Sequence, residues 1–380
     1  MQPADGLQPR LLPSVGPQSR EQFMRRRRTT NLTLGGLAAL IAVLGCALMG
    51  SAPHAQGQGD WIDVHVHLFA DKGSLADFDE AARKALQIMD AERIRTMFVM
   101  SPPRAREGPD TESLAEITKK YGPRIAMLGG GGTLNPMLQE AGKSTEVSEV
   151  VRRQFEETAA RIIASGAKGF GEIAAHHLSL APGHAYEAVS PDHLLLRLLA
   201  DIAARHDVPI DLHLDPVPSD VATPASLGAA QNPPVLKANI EGFERLLAHN
   251  RKTKIVWAHA GSDPLGYFTP TLVRALIKRH PNLALSIRPT SPRPGAVVHA
   301  TGDVNEDWVA VLRDFPDRFV IGSDTMIVAT HYTGPHTPRI FANRGEGQWR
   351  GIRRLLSILP PDEARRIAYE NAERLYKLGR

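Results

Sequence analysis

From residue 61 onward the chain alternates two kinds of segment, and that alternation limits its fold more than any other feature. Eight short apolar runs, at 61–69, 96–100, 124–128, 167–173, 208–214, 254–260, 283–287 and 319–324, read as strands. Between and after them, apolar residues recur at helical spacing. These segments read as helices at 75–93, 111–121, 147–165, 191–206, 239–249, 272–279, 305–314, 348–359 and 362–378. Strands separated by helices pair in parallel, because each crossover returns the chain to the same end of the sheet. The pattern predicts an α/β fold, a (β/α)8 TIM barrel spanning residues 56–380. A doubly wound open sheet is the alternative, and no Gly-rich dinucleotide fingerprint follows the first strand to support it. The four glycines at 129–132 lack phosphate-loop spacing and read as close packing or a flexible loop.

In such a barrel the functional groups gather at the C-terminal ends of the strands. The first strand reads Asp63-x-His65-x-His67. Strict alternation puts these three side chains on one face and Ile62, Val64 and Val66 on the other. Two rise steps separate the histidine Cα atoms by about 6.6 Å, close enough for both imidazoles to reach one cation. The fourth strand ends near Glu172, with Lys168 and Phe170 expected on its face. The fifth carries Asp211 and His213, the sixth His259 and the eighth Asp324. Each has an ordinary reading as well: a hydrogen-bonded histidine, a capping aspartate, a carboxylate paired with a rim arginine. Their joint placement at strand ends favours one metal site. The segments 174–190, 215–234, 289–304 and 327–345 are long loops expected to shape a pocket, and the first holds His176, His177 and His184.

These residues resemble the metal-dependent amidohydrolase superfamily, in its amidohydrolase-related branch, over nearly all of 61–380. Asp63-Val-His65-Val-His67 matches its first-strand motif, and His213, His259 and Asp324 match its fifth-, sixth- and eighth-strand residues. Trp257-Ala-His-Ala-Gly261, Arg279-His-Pro-Asn282, Phe315-Pro-Asp-Arg318, Gly322-Ser-Asp324 and Asn371-Ala-Glu-Arg-Leu375 agree with that branch. Gly171-Glu-Ile173 is similar to members that use a fourth-strand glutamate. Lys168 is the second choice, as the lysine of binuclear members. The resemblance implies His65, His67, Glu172, His213, His259 and Asp324 as ligands of one or two divalent ions, Zn2+ first, with Mn2+ or Fe2+ as alternatives. It implies Asp324 as general base, with His259 or the loop histidines polarising a carbonyl. Arg288 is expected either to bind a substrate carboxylate or to fix the Pro-rich loop beside it. The expected activity is hydrolysis of a small ester, lactone or amide. The alternatives are a decarboxylase with the same ligands and a non-catalytic exported metal-binding barrel.

Residues 1–55 read as an export leader rather than fold. Arg25–Arg28 precede an uncharged, mostly apolar run at 34–49, with Ala55 at a plausible cleavage point and Met24 as an alternative start. An uncleaved anchor and lipid attachment at Cys46, in Val43-Leu-Gly-Cys46, remain open. The leader holds six arginines against Asp5 and Glu21, which accounts for the whole net charge of +4; the rest balances at 39 basic and 39 acidic residues. A neutral body excludes an electrostatic nucleic-acid track, so the expected partner is a small-molecule substrate, with membrane contact only through the leader. Cys46 is the single cysteine, so a metal site after residue 55 has no thiolate to use.

Overall fold

The computed structural model describes residues 60–379, apart from 71–74, 104–110, 145, 181–183, 228–230, 292–294 and 333–344. The expected leader lies outside the described residues. Among the described residues the strands are β1 Trp61–Phe69, β2 Ile94–Met100, β3 Ile125–Met127, β4 Gly129–Gly130, β5 Phe170–His177, β6 Glu187–Ala188, β7 Pro209–Leu214, β8 Val221–Ala222, β9 Val235–Leu236, β10 Lys254–Ala260, β11 Leu283–Ile287, β12 Phe319–Ile321 and β13 Thr325–Val328. The main sheet runs β3-β2-β1-β12-β11-β10-β7-β5-β4, with β13 added beside β1 and β6 beside β5. All pairs along this path are parallel; β6 alone is antiparallel to its neighbour in this sheet.

The two ends of that order, β3 and β4, are successive pieces of chain with Leu128 between them. Leu128 donates its backbone N–H to Val99 O at 3.1 Å on one side, and Gly129 donates to Gly169 O at 3.2 Å on the other. The parallel sheet therefore curls until both edges share residues 125–130. The glycines here serve close packing. A Cβ on Gly131 would lie 2.3 Å from Ser101 O.

Helices cover the outside of the sheet: α1 Leu75–Glu92, α2 Thr111–Tyr121, α3 Leu134–Ala141, α4 Glu149–Ala164, α5 Leu194–His206, α6 Ile240–His249, α7 Pro270–Arg279, α8 Glu306–Asp314 and α9 Gly345–Ile358. A last helical run follows, with α10 Pro361–Arg365, a π-helical turn Arg366–Glu370 and α11 Asn371–Tyr376. The sequence pattern did not predict α3. Its Pro136 sits in the first turn, where the missing N–H would have had no partner inside the helix. Among the described residues, no helix is long and apolar enough to cross a membrane.

Two apolar layers hold the fold. The outer one packs Val66, Leu68, Phe170, Ile173, Ile255 and Trp257 with helix residues such as Ala82, Phe155 and Leu199. The inner one joins Ile62, Val64, Phe98, Leu128, Val256 and Val320, and the C-terminal residues Ala372, Leu375 and Tyr376 close it.

These memberships break strict alternation. Ile62 and Val64 are inner, yet Val66 is outer, so β1 slips by one residue. Its pairing with β2 shifts register between Asp63 and Val66. On β10, Val256 is inner and Ala260 outer, with a register shift between Trp257 and Ala260 and a left-handed φ of 70° at His259. On β5, Phe170 is outer and a shift falls between Phe170 and Ile173. On β1 and β10 the slip lets one strand face inward twice, first with an apolar side chain and then with a polar one. The expectation that Phe170 shares the face of Glu172, and Asp63 that of the histidines, is corrected accordingly.

Candidate metal centre

The slips bring His65 and His67 of β1, Glu172 of β5 and His259 of β10 to one buried point. Asp324, in the turn after β12, joins them. His65 Nε2 and His67 Nε2 are 3.2 Å apart. Glu172 Oε2 lies 3.6 Å from the first and 3.3 Å from the second. Asp324 Oδ1 lies 3.4 Å from His67 Nε2 and 4.0 Å from His65 Nε2. Glu172 Oε1 faces His259 Nε2 at 3.0 Å and His213 Nδ1 at 2.7 Å. Two overlapping triads have ligand-compatible spacing: His65, His67 and Asp324; and His65, Glu172 and His259. His213 adjoins the second through Glu172.

The tautomers decide what these contacts mean. His65 Nδ1 lies 3.2–3.3 Å from both oxygens of Asp211, and His67 Nδ1 lies 3.1 Å from Met100 O. A carboxylate and a carbonyl only accept, so each neutral ring donates from Nδ1 and carries a bare lone pair at Nε2. Two lone pairs then face each other at 3.2 Å. A proton or a metal ion must lie between them. Two nitrogens on one tetrahedral ion with bonds of about 2.0–2.1 Å are separated by roughly 3.3 Å. The donor set, imidazole plus carboxylate, fits a divalent transition metal.

Charge agrees with this. Burial opposes ionisation of Glu172, but His65, His213 and His259 hold its pKa well below the ordinary value. Burial opposes it at Asp324 as well, yet His259, Arg288 and His67 keep that carboxyl far below the carboxylate range. Burial works against a charged His65, and Asp211 and Glu172 outweigh it, raising its pKa well above the usual one. His213 is pushed up to about 10: burial resists, and Asp215 and Glu172 prevail.

The scaffold around Asp324 is built from backbone. Its N–H donates to His65 O at 3.0 Å. Its φ is 52°, left-handed and uncommon for a non-glycine residue. A Cβ on Gly322 would lie 2.8 Å from Ser286 Cβ and 3.0 Å from His65 Cβ, so only glycine lets this turn approach β1. Arg288 Nε is 3.3 Å from Asp324 Oδ2, and its Nη1 donates to Ser262 Oγ at 2.8 Å.

A family model described as Amidohydrolase matches residues 62–378. The chain belongs to the amidohydrolase family. No curated protein matches it. Among solved structures, the amidohydrolase is similar to 2,6-dihydroxybenzoate decarboxylase from Rhizobium, at 17% identity and TM-score 0.46, covering 83% of this chain and 99% of that one. It is similar to a dihydroxybenzoic acid decarboxylase from a Polaromonas species with bound manganese, at 13% identity and TM-score 0.46, covering 84% and 98%. It is also similar to a probable 2-pyrone-4,6-dicarboxylic acid hydrolase from Acinetobacter baumannii, at 11% identity and TM-score 0.46, covering 84% and 100%.

Not every expected residue of this amidohydrolase reaches the cluster. Asp63 does not: its Oδ1 accepts backbone N–H bonds from Ser323 at 2.9 Å and His65 at 3.3 Å. Lys168 precedes β5 and is exposed, so it is no alternative to Glu172. The supposed loop from 174 is strand as far as His177, which carries the loop histidines to the rim. His177 lies between His213, with ring centres 4.4 Å apart, and His184, at 4.6 Å, both rings steeply inclined to it, and burial lowers its pKa to about 3. Asp215 was missed. Its Oδ2 accepts from Leu178 N–H at 2.8 Å and lies 3.4 Å from His213 Nε2. Its place two residues after His213 repeats the x-spacing of the first strand, and that was the available signal.

Proposed function

We propose that this protein is a metal-dependent hydrolase of a small ester, lactone or amide, built on a (β/α)8 barrel. The observation that carries the reading is the pair of bare imidazole nitrogens, His65 Nε2 and His67 Nε2, aimed at each other at 3.2 Å with Asp324 Oδ1 beside them. His65, His67 and Asp324 would hold one divalent ion, Zn2+ in the first instance, with Glu172, His259 and His213 available to the same ion or a second. The cation supplies a Lewis acid that polarises a carbonyl and eases loss of a proton from water.

This chain's residues do the rest. Arg288 lies against Asp324 Oδ2, which leaves Oδ1 turned to the histidines. Oδ1 accepts the proton of the attacking water and returns it to the leaving group. His259 is held by Glu172 through Nε2 and fixes that carboxylate's orientation. The test is a screen of the zinc- and manganese-loaded protein against aryl esters, lactones and amides. Turnover lost on chelation and restored by metal supports the reading. No turnover of any member, with the metal bound, overturns it. Decarboxylation of a hydroxybenzoate is the second reading, favoured by Arg288, a carboxylate-binding group beside Asp324; carbon dioxide release from hydroxybenzoates added to the screen distinguishes it. We also propose export, from Arg25–Arg28 and the apolar run at 34–49; an amino terminus near residue 56 in the mature protein tests it.

A further inference from the structure

A cavity of about 460 Å3 lies between the segment after β11 and the first turns of α9. Its size is that of a small-molecule site. Three arginines line it, Arg288, Arg350 and Arg354, against one acidic residue, Glu346. Glu346 is engaged with Arg350 at 3.2 Å across one helical turn. The lining is therefore net positive by two charges, in a body whose overall balance is neutral.

The cavity adjoins the metal centre through a shared side chain. Arg288 lines it and also lies 3.3 Å from Asp324 Oδ2. The walls are pinned before any ligand arrives. Gln348 of α9 accepts from Thr290 N–H at 3.1 Å and donates to Thr290 O at 2.8 Å. Gly351 packs so closely that a Cβ there would lie 2.5 Å from Thr290 Cγ2. Gly347, one turn earlier, differs: among the described residues, a Cβ there would meet nothing within 4 Å. Its missing side chain leaves the cavity open, although packing does not demand glycine.

We propose that this cavity is a subsite for a carboxylate borne by the substrate at the end remote from the bond that is cleaved. Arg350 and Arg354 receive that carboxylate, and the substrate passes Arg288 to reach Asp324. A guanidinium fork suits a carboxylate geometrically, and two forks select for it over a neutral group. The substrate class is then an anionic ester, lactone or amide. This rests on the hydrolase reading for the reacting end only.

The test separates the two claims. Isophthalate and glutarate are titrated calorimetrically into the metal-loaded full chain, with isophthalamide as the neutral control. At least one dicarboxylate is expected to bind, and the diamide at least tenfold more weakly. The double variant Arg350→Gln/Arg354→Gln should weaken dicarboxylate binding about tenfold or more. Gly347→Leu, which fills the cavity at a helical position, should do the same. Glu346→Gln should tighten binding, a gain that misfolding cannot produce. Binding of neither dicarboxylate, equal binding of the diamide, or equal affinity in all variants would overturn the subsite. In parallel, 4-acetoxybenzoate and 4-acetoxybenzamide are offered as esters. If neither these nor any member of the ester, lactone and amide screen is hydrolysed while the dicarboxylate results hold, the hydrolase reading falls and the subsite stands.

Discussion

Ser323 donates its backbone N–H to Asp63 Oδ1 at 2.9 Å, across 260 positions of sequence. The same oxygen accepts from His65 N–H at 3.3 Å, and Asp324 N–H returns a bond to His65 O at 3.0 Å. The aspartate of the Asp-x-His-x-His motif is thus a staple, tying the turn that presents Asp324 to the strand that presents His65. Burial pushes its own pKa up to about 6 against these bonds.

Asp63→Ala should therefore act on stability and on metal binding together. Two buried N–H groups would lose their acceptor, at a cost of about 2 kcal/mol or more. Asp324 would relax away from His67, and metal affinity would fall. Asp63→Asn keeps an acceptor and should be milder in both respects. Urea unfolding and metal titration check this; an Ala variant as stable and as metal-avid as the parent would reduce Asp63 to a bystander.

The parts legible in the sequence were those that follow one period without interruption. On β7, Asp211 and His213 share a face as alternation requires, and they reach His65 and Glu172. The same rule failed on β1 and β5, and the slip that defeated it recurs on β10. Each carries a one-residue slip that no residue type announces, so Phe170 points outward while Glu172 points in. Asp63 was legible as a member of the motif but not as a staple, because its partner, Ser323, is remote in sequence. Helix α3 is only eight residues long, too short for helical spacing to stand out in the sequence. Yet Asn135 on that helix accepts from Ala174 N–H at 3.0 Å and Gln139 donates to Ala174 O at 2.8 Å, steadying β5 two residues beyond Glu172.

Asp211 sets which nitrogen of His65 is bare. Asp211→Asn can present an amide donor to Nδ1 and so loses the enforced tautomer. Metal affinity should drop about 10- to 100-fold, as for other partners that orient a ligating histidine. Competition with a chelator of known affinity measures it. Protons compete for the same lone pairs, and the pKa of His65 is raised by Asp211 and Glu172, so zinc affinity should weaken as pH is lowered from 8 to 6. A pH-independent affinity would contradict the ligand assignment.

Glu187 supplies a separate test of buried charge. It is 2% exposed, its Oε2 accepts from Asn135 Nδ2 at 2.8 Å, and Oε1 has no hydrogen-bond partner. Burial raises its pKa from 4.5 to about 7, and Glu172 adds to the rise. The folded state thus holds the proton more tightly than the unfolded chain. The associated stability is fully present below about pH 4.5 and is lost as pH rises through about 7. Glu187→Gln does not titrate and keeps an acceptor for Asn135. It should be more stable than the parent at pH 8, by up to about 3 kcal/mol, and nearly equal at pH 5. Thermal melts at the two pH values decide; a difference independent of pH would show that the carboxyl is not held neutral.

Asp324 joins the roles of ligand and base in one side chain. Its Oδ1 faces His67 Nε2 and serves both roles, while its Oδ2 is held by Arg288. Asp324→Asn preserves size and the backbone bond to His65 O, but removes the negative charge and the basicity. His65, His67, Glu172 and His259 remain, so the protein should still take up metal, more weakly than the parent. General acid–base help contributes typically about 10²- to 10⁴-fold, so turnover of any ester the parent hydrolyses should fall by at least about 10²-fold. Metal content by elemental analysis must be measured on the same sample, because loss of the ion would lower turnover for a different reason. A metal-loaded Asp324→Asn with near-parental turnover would leave Asp324 a structural residue. The proton would then have to leave the water by another group, and of the residues at this point His259, whose Nδ1 has no hydrogen-bond partner, would be next to examine.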